Sequence, residues 1–175
     1  MKYLQKLGLN KRLLLIILIL VCVFGLFMSL FLTYEYYNPA PLVCTAPAHP
    51  NLKSSCEEVR ESPYAEIFGV KLPVWGSIYF TSAIVIEVII LFTYLTDRKL
   101  PEGIITKQKY LHILLLSILV MGILFESTMT GIEIFVIKAL CTWCAMIETV
   151  AILNLLIGLL YLLPTPKKVN TKLGI

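Results

Sequence analysis

Four long apolar runs dominate this chain, at roughly residues 13–33, 74–95, 110–130 and 141–163. Each holds about 20 residues or more, enough to cross a ~30 Å hydrocarbon layer at 1.5 Å per residue. They predict four membrane-spanning helices. Residues 34–73 form the only long hydrophilic connection between them. The first run follows Lys2, Lys6, Lys11 and Arg12, as a signal peptide would. Its apolar core exceeds the 7–15 residues of an ordinary signal, and Ala46-Pro47-Ala48, which mimics a cleavage site, lies well beyond its end. The expectation is an uncleaved helix and a single membrane domain over 1–175.

Composition agrees: 58% of residues are hydrophobic and 15% charged, too apolar for a soluble domain of this length. The formal net charge of +4 is spread over short flanks between apolar spans, so it marks topology rather than a nucleic-acid surface. With the N-terminus inside, the inner segments carry Lys2, Lys6, Lys11, Arg12, Arg98, Lys99, Lys107, Lys109, Lys167, Lys168 and Lys172. The outer segments carry only Lys53, Arg60, Lys71 and Lys138. Both termini are therefore expected in the cytoplasm, with the chain a multi-pass protein of the cell membrane.

Five cysteines change the picture: Cys22, Cys44, Cys56, Cys141 and Cys144. Cys22 falls inside the first apolar run, where a lone thiol behaves as a small hydrophobe. The other four all fall on the outer, oxidising side, where disulfides persist. Cys141-Thr142-Trp143-Cys144 is a C-x-x-C pair at the head of the fourth run. Such a pair closes a reducible disulfide, and a helix N-terminus favours the thiolate that attacks and leaves.

The outer loop opens with Tyr34, Tyr36 and Tyr37 and continues through Pro39, Pro41, Pro47 and Pro50 around Cys44. Ser55-Cys56-Glu57-Glu58 reads as a capping box, which makes Cys56 the first residue of a short helix. Ser62-Pro63 reads as a second helix start, with Gly69 as its terminator. Tyr64, Ile67 and Phe68 would give that second helix an apolar side for lying on the membrane.

The runs Ser55-Cys56-Glu57-Glu58-Val59-Arg60-Glu61-Ser62-Pro63-Tyr64, Phe68-Gly69-Val70 and Pro73-Val74-Trp75-Gly76 resemble the first outer loop of the vitamin K epoxide reductase family. Ala139-Leu140-Cys141-Thr142-Trp143-Cys144 resembles that family's active-site segment, and nearly the whole chain follows the same order. The resemblance implies an all-α four-helix membrane bundle around a quinone pocket, with an outer loop of short helices over the active site. It implies a shuttle pair, Cys44 and Cys56, and an active-site pair, Cys141 and Cys144, beside the quinone. Cys44 would exchange with a separate thioredoxin-like protein outside the cytoplasm, Cys56 would attack Cys141, and Cys144 would reduce a quinone of the ubiquinone or menaquinone type from the membrane pool. Ser62 matches the loop serine that helps hold the site.

Three departures bear on specificity. Animal members carry a tyrosine where this chain has Glu148, and their second-span asparagine has no counterpart near residues 72–77. No thioredoxin-like domain is fused within these residues. These point away from reduction of vitamin K or its epoxide and toward a prokaryotic-type thiol:quinone oxidoreductase.

Glu148 lies one turn beyond Cys144 on the same helix face. It either relays protons or contacts the quinone, or else bonds a neighbouring helix. Glu87, mid-span, poses the same choice. Glu126 and Glu133 read as hydrated boundary residues and His112 as interfacial. Trp75, Tyr79 and Phe80 are candidate walls of a flat-ring site near the outer face, with Trp143 a weaker one. Competing readings are a scaffold braced by a Cys44–Cys56 staple worth roughly 3 kcal/mol, a four-cysteine zinc site, and another quinone-linked thiol oxidase family whose two cysteine pairs come in the reverse order. An open loop pair in an oxidising compartment disfavours zinc, and no metal is expected.

Overall fold

The structure is a computed structural model that describes residues 11–38, 44, 53–96 and 102–162. Lys2, Lys6, Arg98, Lys99, Lys167, Lys168 and Lys172, the Ala46-Pro47-Ala48 stretch, and Pro39, Pro41, Pro47 and Pro50 lie outside them. Helix α1 spans Lys11–Tyr37. The outer loop then contributes β1 (Lys53–Ser54), the short α2 (Cys56–Glu61) and the strands β2 (Glu66–Ile67) and β3 (Val70–Lys71). Strand β3 runs directly into α3 (Leu72–Thr96). Helix α4 (Glu102–Ile132) continues as one π-helical turn (Glu133–Ile137), followed by β4 (Ala139–Leu140) and α5 (Thr142–Leu162).

The four long helical segments are each long and apolar enough to cross a membrane. The first three extend past the expected spans because polar ends, such as Lys11 and Tyr37 of α1, still complete helical turns, while α5 stays within its expected 141–163. Going around the bundle, α1 packs on α3 and α5, and α4 packs on the same two helices. Leu20, Phe27, Phe92 and Met121 stay exposed on the outside, as lipid-facing residues do. Glycine sets the closest approaches. The Phe80 ring occupies the space a Cβ on Gly25 would need, and the Tyr79 ring does the same at Gly122. Small residues at such crossings let membrane helices pack closely.

One buried polar knot crosses the bundle. The Cys22 thiol donates to Glu87 Oε1 at 3.4 Å, and Asn154 Nδ2 donates to Cys22 Sγ at 2.7 Å. All three side chains are fully buried, so Cys22 is a tie between α1, α3 and α5 rather than a plain apolar filler. Glu87 bonds a neighbouring helix, the structural option of the two posed for it. His112 meets the Tyr161 hydroxyl at 3.2 Å near the far end of the bundle.

The second loop helix expected from Ser62-Pro63 does not form. Ser62 instead closes α2, its backbone N–H and hydroxyl both donating to the Val59 carbonyl at 3.3 and 2.8 Å. A side chain spent on the end of one helix cannot cap the next. Residues 66–71 form a hairpin, Glu66 opposite Lys71 and Ile67 opposite Val70. Its turn residues Phe68 and Gly69 have φ of 54° and 75°, the left-handed pair a two-residue hairpin turn needs. A Lys71–Glu66 ion pair at 2.9 Å spans it.

Candidate active site

The loop begins its docking at the capping box, where Ser55 Oγ accepts from the Glu58 N–H at 3.1 Å. That starts α2 at Cys56, which is buried. Arg60, buried at the other end of α2, donates to the Glu35 carbonyl at 3.4 Å and pairs with Glu57. A guanidinium on the last-turn carbonyls of α1 suits the negative end of that helix. Ser62 supports α2 from its C-terminus and touches no reactive sulfur in its hydrogen bonds.

A two-residue parallel ladder sets the register, with Lys53 opposite Ala139 and Ser54 opposite Leu140. The next residues on the two strands are Ser55 and Cys141, so Cys56 arrives beside Cys141. Cys56, Val59, Ala139 and Cys141 form one small buried cluster, with Cys44 and Cys144 packed on it. Cys44 and Cys56 are joined by a disulfide, while Cys141 and Cys144 are free thiols. The sulfurs of Cys44, Cys56 and Cys141 all lie within 4.8 Å of one another. Two of these three are bonded to each other, so the cluster as it stands suits thiol exchange better than metal ligation.

Cys141 occupies the N-cap of α5, and its Sγ accepts from the Cys144 N–H at 3.4 Å. Its thiol lies below the ordinary range, chiefly because the Cys144 thiol hydrogen-bonds to it. The backbone amides of Cys144 and Trp143 add to this, against burial and the Glu133 carboxylate. The Thr142 hydroxyl approaches Cys44 Sγ at 3.8 Å.

Glu133 departs from its sequence reading. It is 5% exposed, not hydrated, and its Oε2 accepts from the Cys141 N–H at 3.0 Å. The Cys144 thiol also lies against this carboxylate. Glu133 opens the π turn, and Lys138, at φ 58°, closes it with its N–H on the Glu133 carbonyl. A π turn is a frequent feature of functional sites. This one puts a carboxylate beside the thiols just where the chain turns back into β4.

Two cavities adjoin each other, one of them lined by Cys144. The nearer, about 40 Å³, is bordered by Cys144, Glu133, Glu126, Tyr36 and Ile147. The larger, about 350 Å³, lies between α3 and α4, bordered by Trp75, Tyr79, Ser82, Met121 and Gly122. Both are bounded by Gly76, Phe125 and Glu126. The larger has the size of small-molecule sites. Trp75 Nε1 is buried without a hydrogen-bond partner among the described residues, and the Tyr79 hydroxyl lies near Asn154. The mostly apolar lining with two such aromatic walls suits a flat apolar ring.

Of the ring-site candidates, Trp75 and Tyr79 therefore reach the cavity. Phe80 does not: it is fully buried, against Gly25 and edge-on to Tyr79 at 4.7 Å between centroids. An aromatic one residue along a helix from Tyr79 faces some 100° away, into the α1 crossing. Glu148 borders neither cavity; its Oε2 accepts from the Thr130 hydroxyl at 2.7 Å, which is the neighbouring-helix option. Trp143 stacks obliquely on Phe31 at 5.2 Å. Glu126 borders both cavities and so is more than a boundary charge. Glu133, Thr142 and Arg60 had no assigned role from sequence; a carboxylate eight residues before the first C-x-x-C thiol was the available signal for Glu133.

Residues 16–159 match the profile described as Vitamin K epoxide reductase family. No curated protein matches the chain.

Proposed function

The chain belongs to the vitamin K epoxide reductase family, whose members are membrane quinone-linked thiol oxidoreductases, and from that premise we propose that it oxidises a separate thioredoxin-like protein and reduces a membrane quinone. The whole chain acts as one membrane domain with both termini cytoplasmic and the cysteine pairs on the outer face. The observation that carries this reading is the meeting of Cys44, Cys56 and Cys141 within 4.8 Å, with Cys144 on the cavity side.

Electrons enter at Cys44, the less buried half of the loop disulfide. A partner thiolate attacks Cys44 and releases Cys56; the partner's second thiol then attacks the partner sulfur bonded to Cys44, breaking that bond, so the partner leaves with its own disulfide and Cys44 and Cys56 are reduced. Cys56 attacks Cys141 of an oxidised Cys141–Cys144 pair and frees Cys144. Cys44 attacks Cys56 in turn, restoring the loop disulfide and releasing Cys141 as a thiolate. The Thr142 hydroxyl, 3.8 Å from Cys44 Sγ, steadies the Cys44 thiolate for that last attack. The arrangement of bonds in the structure, loop pair oxidised and C-x-x-C pair reduced, corresponds to the moment after this transfer.

A bound quinone supplies the two-electron acceptor. Trp75 and Tyr79 would line the site for its ring, and Gly76, Phe125 and Glu126 border both that cavity and the smaller one that Cys144 borders. The larger cavity lies between two membrane-crossing helices, α3 and α4, where a lipid-tailed quinone would arrive from the bilayer. Ubiquinone-type and menaquinone-type rings both suit this site. Glu148, held by Thr130, is not available to replace the tyrosine of animal members, consistent with a plain quinone rather than vitamin K epoxide.

The test combines purified protein, reduced thioredoxin-like partner and quinone, and follows quinone absorbance for the wild type and Cys144→Ala. Turnover in the wild type and its loss in the variant is expected. Undiminished turnover in the variant contradicts the assignment and leaves the cysteines as braces of a scaffold.

A further inference from the structure

Quinone reduction by two thiols moves two protons as well as two electrons, and the cysteine exchange above provides no carrier for them. Taking that reading as its base, we propose that Glu133 is a catalytic residue that accepts the Cys144 proton and passes it to a quinone oxygen. The two thiols of the reduced pair differ. Cys141 is the one whose sulfur receives hydrogen bonds, from the Cys144 amide at 3.4 Å and from the Cys144 thiol. A proton carried by Cys144 must be shed when the disulfide forms.

Glu133 is the base placed to take it. Its carboxylate contacts the Cys144 thiol, is anchored by the Cys141 N–H at 3.0 Å, and borders the same cavity as Cys144. One side chain thus touches the amide of one thiol, the sulfur of the other and the space in which the acceptor ring's edge would sit. The anchor leaves a hydrogen bond in place whichever proton state the carboxyl adopts, so the proton can come and go without releasing the C-x-x-C segment.

The other titratable groups facing Glu133 are fewer and differently engaged. Tyr36 comes from α1, Glu126 from α4 itself and Glu148 from α5. Glu148 is occupied by Thr130. Glu126 lies seven residues earlier, two turns along the same face of α4, and borders both cavities, a position for receiving protons from Glu133 rather than from sulfur. Arg60 is the cation near this group, acting on Tyr36.

The step balances. The Cys141–Cys144 S–S bond forms, both sulfurs are oxidised, and the quinone gains two electrons. The Cys144 S–H bond breaks, and its proton crosses to Glu133 and then to one quinone oxygen. The second oxygen takes a proton from water, equal to the one Cys141 released on becoming a thiolate. Two thiols and a quinone become a disulfide and a quinol.

The experiment uses full-length protein in lipid nanodiscs with its Cys141–Cys144 pair reduced, and a short-chain ubiquinone analogue. Single-turnover quinol formation is followed from about pH 5 to about pH 9, spanning ordinary carboxyl and thiol ionisations, for the wild type, Glu133→Gln and Glu133→Asp. Glutamine keeps an oxygen for the Cys141 N–H but carries no proton. Glu133→Gln is expected to slow quinol formation by about 10²-fold or more, the usual size of a lost acid–base group. It should also lose one of the two ionisations of the wild-type profile. Glu133→Asp should keep both ionisations at a lower rate. Exchange between the loop pair and Cys141, measured without quinone by trapping free thiols, should change far less in Glu133→Gln than quinol formation does. An unchanged rate and profile in Glu133→Gln overturns the proposal. So does a loss of exchange equal to the loss of quinol formation with the profile retained, which marks a purely structural residue. A wild type that exchanges thiols but forms no quinol instead overturns the quinone reading on which the proposal stands.

Discussion

Ser54 lies opposite Leu140 in a ladder only two residues long, and that register brings Cys56 to Cys141. The four helices alone do not fix where the loop cysteine lands. The ladder does so by aligning the residues just before each thiol, and Ala139 is fully buried in the same small cluster as Cys56 and Cys141. Small side chains at that point let the loop seat closely.

Ala139→Leu is therefore expected to overpack this cluster at a cost of about 1–3 kcal/mol, and to slow Cys56–Cys141 exchange. Quinone reduction driven by a small dithiol acting directly on the Cys141–Cys144 pair should be spared. Measuring both rates on one preparation checks this; an equal fall in both would show that the ladder does not control the loop specifically.

The lowered Cys141 thiol gives a pH signature. A group whose ionisation is favoured in the folded protein reaches its thiolate at lower pH, so Cys141 alkylation should rise with pH below the ~8.5 of an ordinary thiol. Cys144→Ala removes the first cause, the hydrogen bond from the Cys144 thiol, and should move the curve toward higher pH. The linked stability has the same sign: it is present above the ordinary thiol pKa and lost as pH falls through the lowered one. Alkylation followed by peptide mass spectrometry across pH reads the midpoint directly.

Arg60 ties the loop to the membrane bundle through the Glu35 carbonyl and Glu57. Arg60→Met keeps much of the apolar stem and removes the charge. The loss is expected at about 1.5–3 kcal/mol, the range for hydrogen bonds to charged groups. Amide hydrogen exchange should quicken in residues 53–61 before it quickens in α3 or α5. Uniform loosening of all helices would place the Arg60 contribution in the bundle instead.

Neighbouring aromatics should separate by role. Tyr79→Phe removes a hydroxyl from a wall of the larger cavity and is expected to raise the quinone KM several-fold with little change in thermal stability. Phe80→Leu enlarges the packed crossing at Gly25 and should lower Tm while leaving the quinone KM unchanged. Quinone titrations and melting curves of the two variants distinguish these effects; a raised KM in Phe80→Leu would return Phe80 to the ring site.

Much of this was legible in the sequence because the signals are local. Apolar run length gave the four spans, and Ser55 with Glu58 gave the start of α2 three residues apart. The C-x-x-C pair announced itself at a helix head. What escaped depends on distant partners. Cys22 is tied to Glu87 and Asn154, 65 and 132 residues away, and no pattern around Cys22 points to either. Ser62 looked like a helix start because the Ser-Pro signal is the same whether the serine begins a new helix or finishes the last. Glu133 looked hydrated because its burial comes from the π turn and the returning strand, features that apolar periodicity does not encode. Glu148 had two readings by helix geometry, and its bond to the Thr130 hydroxyl on the neighbouring helix depends on a partner 18 residues away.

The central claim is that electrons pass from the loop pair to the C-x-x-C pair through a Cys56–Cys141 bond. Cys44→Ser removes the thiol that resolves that bond. After treatment with reduced partner and quinone, non-reducing peptide mapping of this variant should show Cys56 joined to Cys141, with Cys144 free to alkylate. Finding Cys56 as a free thiol beside an intact Cys141–Cys144 disulfide would contradict the route.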